Sequence, residues 1–248
     1  MSAHATTAGN AEAGYRYLVN GGFIGVGVPA DLLRDVESFL DVPVMGTIVG
    51  NFAVDTIFPA FRGDIFVDPG IPGRQGENAR LRYDFNAYKT VRGNEVISFA
   101  CLTCHAEKID GRVIVGLGNT TRDYTADLRR VGNAVVTAAR LRGRPGEVEE
   151  ATVFARRMDA VARYIRPSTV GVNPAINLTY ALLAHRDPKT LAWSDSALME
   201  PPPLEALPYD VPPWWHMKRR RTMFMSGEAK YHRGVLMLAS TLGTESPE

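Results

Sequence analysis

The stretch Cys101-Leu102-Thr103-Cys104-His105 decides how this chain is interpreted, and it contains the only two cysteines. Two cysteines three positions apart, followed at once by a histidine, are typical of covalent haem attachment. The two thiols can add to the two vinyl groups on one porphyrin edge, and one helical turn sets their separation. The histidine then lies under the iron as proximal axial ligand. The sequence therefore predicts one covalent haem c, held by Cys101, Cys104 and His105.

Two other uses of paired cysteines stay open as an alternative. A thiol-redox pair of the thioredoxin type needs a strand before the motif and a helix that opens at the first cysteine. Residues 94–100 precede the motif, and their apolar pattern fits a helix and a strand equally well. A structural zinc site needs one or two further ligands at zinc spacing. The other histidines occur singly, at His4, His185, His216 and His232.

The charge balance restricts the kinds of partner. The 248 residues include 28 basic and 27 acidic side chains, so we expect no nucleic-acid partner. No apolar run approaches the length that spans a bilayer, so we expect no membrane-spanning segment. Haem is attached to this motif outside the cytoplasm, which predicts a periplasmic or extracellular protein. Residues 1–14 nevertheless show no apolar core of a signal peptide.

Composition divides the chain into three parts. Residues 1–13 are small and polar and predict a flexible N-terminus. Residues 14–82 are rich in glycine and proline and predict a loop-rich extension, with one amphipathic helix that starts at Pro29-Ala30-Asp31. Residues 83–248 predict the haem-binding helical part. Together, residues 14–248 predict a single haem domain.

Helical patterns dominate the haem-binding part of the sequence. The stretch from about Tyr83 to His105 is predicted to be helical, while residues 111–119 predict a small strand or extended segment. Further helices are predicted from near Tyr124 to Gly143, from Pro145 to Ile165, around Leu178, and from Glu228 to about Leu242, with a proline-dense linker over 201–213. We therefore expect a mainly α fold with little strand.

Three flanking strings point to a known group of proteins. They are YRYLVNGGFI at 15–24, LAHRDP at 183–188 and VPPWWHMKRR at 211–220. With these strings and its haem motif, the chain resembles the N-terminal haem half of bacterial di-haem c-type cytochromes, the group related to cytochrome c peroxidases and the di-haem rubber oxygenase. The similarity covers about 14–242. It implies a cytochrome c-like haem domain, a periplasmic or cell-surface setting, and electron transfer as the minimum function.

The resemblance also suggests an enzymatic alternative. Members of this group carry a second C-x-x-C-H motif in a C-terminal half, whereas this chain has one. If catalysis needs two haems in electronic contact, the chain is the haem half of a peroxidase- or oxygenase-like di-haem enzyme. A redox partner protein or a second haem domain is the partner that either function implies.

The sixth iron ligand distinguishes an electron carrier from a catalyst. Methionine or histidine closes the iron, whereas an open position binds peroxide or oxygen. Small cytochromes take this ligand from residues after the haem motif, so the candidates are Met223, Met225 and Met237. Trp214, Trp215 and Arg186 are candidate haem contacts, because indole N–H groups need acceptors and guanidinium groups pair with haem propionates.

Overall fold

The computed structural model describes residues 11–40, 65–205, 211–217 and 219–222, with the backbone alone at 36–40 and 216. The helices of this part are α1 (Ala11–Asn20), α2 (Ala30–Leu40), α3 (Leu102–His105), α4 (Leu128–Arg142), α5 (Pro145–Val161) and α6 (Ala175–Ala184). Its strands are β1 (Val28–Pro29), β2 (Phe85–Lys89), β3 (Glu95–Phe99), β4 (Ala106–Ile109) and β5 (Arg112–Val115). Two 3-10 helices span Gly76–Arg80 and Trp214–His216.

The expected helix from Tyr83 to His105 is wrong, because β2 and β3 form an antiparallel hairpin there. The register pairs Ala87 with Ile97, and the hairpin turns through Gly93, whose φ is 83°. Glycine inside a helix lowers the stability of the helix, whereas a hairpin turn needs the positive φ that glycine adopts readily. β1 pairs with β3 to complete a three-stranded sheet in the order β1-β3-β2.

The second sheet is the hairpin of β4 and β5, which confirms the extended segment predicted over 111–119. Asp110 and Gly111 connect its strands, and both have positive φ, at 46° and 78°. An Asp-Gly turn of this kind matches the twist of a two-stranded ribbon. With two antiparallel sheets, the fold is a mixture of helix and strand. The expectation of a mainly α, cytochrome c-like fold with little strand is therefore wrong.

The helices after the C-x-x-C-H motif agree well with the sequence patterns. α4 is capped by Asp127, whose side chain accepts a hydrogen bond from the backbone N–H of Arg129, and it ends at Gly143 in the left-handed conformation. Pro145 opens α5, as its fixed φ and missing N–H favour. α6 confirms the helix expected around Leu178. α4 begins after the predicted start at Tyr124, and α5 ends before Ile165.

The main core lies between the three-stranded sheet and the helices α2, α4, α5 and α6. Its buried apolar side chains include Val28, Leu32, Phe85, Ile97, Val131, Val135, Ala151, Phe154, Val161 and Leu182. Burial of one side chain of this size stabilises a fold by about 1.5–3 kcal/mol. Gly132 lets α4 approach α5 closely, because a β-carbon at this position would lie 3.0 Å from the Cα of Ala155.

A smaller core lies around the C-x-x-C-H motif. It consists of Val19, Ile71, Leu102 and Ala106, with Trp214 packed against it. This small core joins α1 and the segment around Ile71 to the motif. β1 lies in the three-stranded sheet, whose strand β3 ends just before the motif. α1 begins at Ala11, inside the segment predicted to be a flexible N-terminus.

Several expectations lie outside the described residues: the segment 1–10, the final helix from Glu228 to Leu242, and part of the proline-dense linker. In the described part of the chain, no helix combines the length and the apolar character that crossing a membrane requires.

Candidate functional site

The C-x-x-C-H motif forms a single helical turn that begins two residues after the end of β3. Cys101 has helical backbone angles, with φ −53° and ψ −33°, and α3 follows it. The N–H of His105 donates to the carbonyl oxygen of Cys101 at 3.0 Å, which closes the turn. Neither cysteine forms a disulfide, and both are partly buried. Residues three apart in a helical turn lie on one face, so both thiols can reach one edge of a flat ligand.

The imidazole of His105 is held neutral. Burial lowers its pKa to about 4, so at neutral pH a nitrogen lone pair is available to a metal. Its Nδ1 atom is buried and has no hydrogen-bond partner among the described residues. A buried polar atom of this kind is expected to be satisfied by a metal, an ion or a water molecule.

Trp214 covers the imidazole of His105. The two ring centroids lie 4.7 Å apart, with 30° between the ring planes. The backbone holds both residues on the end of β5, because Gly116 donates to the His105 carbonyl at 2.7 Å and accepts from the Trp214 N–H at 2.8 Å. Trp215 is 51% exposed beside this stack. The structure thus brings His105 and Trp214 together across a long stretch of sequence.

A buried ion-pair cluster supports the turn from below. The hydroxyl of Thr103 donates to the backbone carbonyl of Asp84 at 2.7 Å. The Asp84 carboxylate is fully buried and pairs with Arg82 at 2.7 Å and with Arg122. Burial alone would raise the pKa of Asp84, but the guanidinium charges of Arg122 and Arg82 hold it below its ordinary value. Asp84 therefore stays ionised under the motif.

The loop 119–124 holds the other side of the turn. The Asn119 N–H donates to the Cys104 carbonyl at 2.9 Å, and the Asn119 side-chain amide donates to the Ala106 carbonyl at 3.0 Å. The Asn119 side-chain oxygen accepts from the N–H groups of Thr121 and Arg122. The turn is thus held by hydrogen bonds on two sides, and the Asp84–Arg122 pair joins the two sides.

Tyr124 reaches from this loop to the second cysteine. Its hydroxyl oxygen lies 3.4 Å from Sγ of Cys104 and 3.3 Å from the carbonyl oxygen of Thr103. Burial raises the pKa of Tyr124 well above its usual value, so the phenol keeps its proton at neutral pH. The phenol can therefore donate to one of these neighbours and accept from the other.

Arg186 lies in a different cluster from the motif turn. It is 1% exposed, and its Nη1 donates to the carbonyl of Leu191 at 3.0 Å. Its guanidinium carbon lies 5.2 Å from the ring centroid of Trp193, which also stacks on His185. Arg157 covers the same indole ring at 3.7 Å. The expected haem contact of Arg186 stays a prediction.

The candidate distal ligands Met223, Met225 and Met237 lie outside the described residues, so the sixth ligand stays a prediction. Sequence reasoning missed Asp84, Arg122 and Tyr124 as neighbours of the motif, and it missed the hydrogen bond of Thr103, inside the motif, to Asp84. Arg82 and Asp84 carry a local signal, since opposite charges two residues apart on an extended chain can pair. Arg122 and Tyr124 carry none, because a chain reversal brings them back to the motif.

The residues present fit a covalent haem: two reduced thiols on one face of a turn, a neutral imidazole next to them, and an aromatic ring over that imidazole. Within the described ranges, no group of three or more His, Cys, Asp and Glu side chains is arranged so that it could hold a metal ion. No family model, no curated protein and no solved structure matches this chain.

Proposed function

We propose that this chain attaches one haem covalently through Cys101 and Cys104, uses His105 as an axial ligand, and transfers electrons. The observation that carries the proposal is the placement of both thiols and a partly buried, neutral imidazole on one helical turn. Bound haem supplies a reversible one-electron couple at its iron. The resemblance to di-haem c-type cytochromes belongs to the same proposal, as does a periplasmic or extracellular location.

The neighbours of the motif suit an electron-transfer site because they hold it rigidly and keep water from one side. Trp214 covers one face of the His105 ring, and the smaller core lies under the turn. Low polarity around an axial ligand is one of the means by which a protein sets a haem reduction potential. The Asp84–Arg122 pair, with its buried carboxylate, would restrict movement of the turn that holds the haem.

The test is whether haem stays attached after denaturation. We expect the wild-type protein, expressed with a periplasmic haem-maturation system, to show haem staining on a denaturing gel and a pyridine haemochrome spectrum. The double variant Cys101→Ala, Cys104→Ala should lose the stain. His105→Ala should keep the stain and change the spin state, because His105 binds the metal and the cysteines bind the porphyrin. A wild-type protein without stain, or a double variant with it, would overturn the proposal.

The reduced and oxidised spectra distinguish a carrier from a catalyst. A carrier has two strong axial ligands and sharp α and β bands on reduction, and its spectrum does not change with cyanide or carbon monoxide. If Met223, Met225 or Met237 is the sixth ligand, one of the three Met→Ala variants should open the iron to carbon monoxide. A wild-type spectrum that is already high-spin, with turnover of peroxide, would favour the enzymatic function with a second haem domain.

A thiol-redox pair is a second candidate, because β3 ends two residues before Cys101 and α3 opens there. This is the local context that a dithiol of the thioredoxin type needs. However, α3 has four residues, so few aligned peptide dipoles are available to stabilise a thiolate. A protein that carries no haem and forms a reversible Cys101–Cys104 disulfide would support this candidate, whereas stoichiometric zinc would support a structural metal site.

A further inference from the structure

We propose that Tyr124 is a positioning residue that holds the thiol of Cys104 toward the haem vinyl group during attachment. This inference rests on the proposed function, since it concerns how the same haem becomes bound. It assigns to one cysteine of the motif a specific neighbour that the motif itself does not contain. The effect should therefore be selective for the bond at Cys104.

The contact geometry supports a hydrogen-bond chain through the phenol. The Tyr124 oxygen lies 3.3 Å from the Thr103 carbonyl oxygen, which can only accept, so the phenol proton is donated there. Its lone pairs then face Sγ of Cys104, at 3.4 Å, and can accept the thiol proton. Because both partners belong to the same turn, this arrangement fixes one rotamer of Cys104 relative to the backbone that carries it.

The backbone on both sides of Tyr124 is restrained by hydrogen bonds. Before it, Arg122 pairs with the buried Asp84, and the Arg122 carbonyl accepts from the Gly171 N–H at 3.0 Å. After it, the Thr125 carbonyl accepts from Nε of Arg166 at 2.7 Å. A side chain on a backbone restrained in this way loses little further freedom when it contacts the thiol. The positioning therefore costs little at the moment of reaction.

The attachment step is an addition and needs no oxidant. The S–H bond of Cys104 breaks, sulfur forms a bond to the inner carbon of the vinyl group, and the proton and the electron pair of the double bond form a C–H bond at the outer carbon. The thiol plus a vinyl haem thus gives a thioether with no other product. The phenol orients the S–H bond and is unchanged at the end.

The experiment compares Tyr124→Phe with wild type and with Tyr180→Phe, whose phenol is exposed on α6. Each protein is matured with haem, then alkylated, digested and analysed by mass spectrometry for haem or alkylation at each cysteine. The alkaline pyridine haemochrome gives an independent reading, since its α band shifts when one vinyl group stays unreacted. We expect Tyr124→Phe to lower attachment at Cys104 about three- to tenfold relative to Cys101, the ratio that loss of one hydrogen bond produces.

Each outcome decides the question. Selective loss at Cys104 in Tyr124→Phe, with two thioethers in wild type and in Tyr180→Phe, supports the positioning role. Equal loss at both cysteines shows a general structural role and overturns it, as does unchanged attachment at Cys104. A wild-type protein that carries no covalent haem overturns the proposed function instead, and the inference with it.

Discussion

Among single residues near the motif, Asp84 combines buried ion pairs with a hydrogen bond to the motif. Its carboxylate is fully buried, and the groups that keep it ionised are the guanidiniums of Arg82 and Arg122. Its backbone carbonyl also accepts from Thr103, inside the motif. Loss of this one charge should therefore affect both the stability of the fold and the order of the turn.

We predict that Asp84→Asn lowers the free energy of unfolding by about 3 kcal/mol at neutral pH, because the variant leaves two partly buried guanidiniums facing an uncharged amide. The pKa of Asp84 lies below its ordinary value, so the unfolded chain takes up the proton first as the pH falls. The stabilisation is therefore complete above about pH 4 and is lost below it. Urea unfolding across this range should show the two proteins converging in acid.

The control is Asp195→Asn, which alters an exposed ion pair with Arg156 at 3.5 Å and keeps a side-chain oxygen that can accept from the Trp193 indole N–H. An exposed pair contributes little to stability, so this variant should match wild type at every pH. Equal losses in the two variants would show that Asp84 has no special role.

Between elements, the hairpin of β2 and β3 is attached to α5 by one buried carboxylate. Glu150 accepts from Thr90 at 2.5 Å, from Arg92 at 2.7 and 2.9 Å, and from Asn94 at 3.2 Å. These three donors lie in or beside the hairpin turn. The helix thus holds in place the strand pair that delivers Cys101 to the site.

We predict that Glu150→Gln destabilises the protein by about 2 kcal/mol. The buried carboxylate accepts charge-assisted hydrogen bonds, and the amide that replaces it is uncharged, so these bonds become weaker. Hydrogen exchange should rise at the amides of β2 and β3 more than at those of α4. The adjacent, exposed Glu149→Gln is the matched control and should leave the exchange pattern unchanged. Uniform faster exchange in Glu150→Gln would contradict a local attachment.

The segment 211–217 packs against the backbone at Gly118, where a side chain would prevent this close approach. A β-carbon on Gly118 would overlap with the carbonyl oxygen of Val211. We predict that Gly118→Ala displaces this segment and separates Trp214 from His105, which tryptophan fluorescence and near-ultraviolet circular dichroism would report. Gly14→Ala is the control, since a β-carbon there meets no atom within 4 Å. Identical tryptophan spectra in the two variants would contradict this packing.

At the scale of the whole molecule, the haem of the proposed function should stabilise the native state against unfolding. Its contacts with the folded chain would be lost on unfolding, so it would shift the equilibrium toward the native state. We predict a lower melting temperature for Cys101→Ala, Cys104→Ala than for haem-loaded wild type, with about 2–4 °C lost for each kcal/mol in a protein of this size. Equal melting temperatures would show that the haem contributes no stability.

How far the fold could be predicted depended on whether each signal was local. The end of α4 and the start of α5 follow from Gly143 and Pro145, whose backbone preferences act within one or two residues. Residues 94–100 are the opposite case, since their apolar pattern fits either period. Pairing with β2 and β1 makes them a strand, and no residue inside the segment specifies those partners.

By itself, the sequence determined the placement of two thiols and an imidazole on one turn, because bond geometry and helical spacing act over five residues. Tertiary structure alone decided the surroundings of that turn: Trp214 over His105, Tyr124 against Cys104, and Asp84 below Thr103. These contacts depend on β5, the loop 119–124 and the hairpin folding back on the motif. Contacts between residues far apart in sequence arise from the packing of whole elements, and no local preference of the chain encodes them.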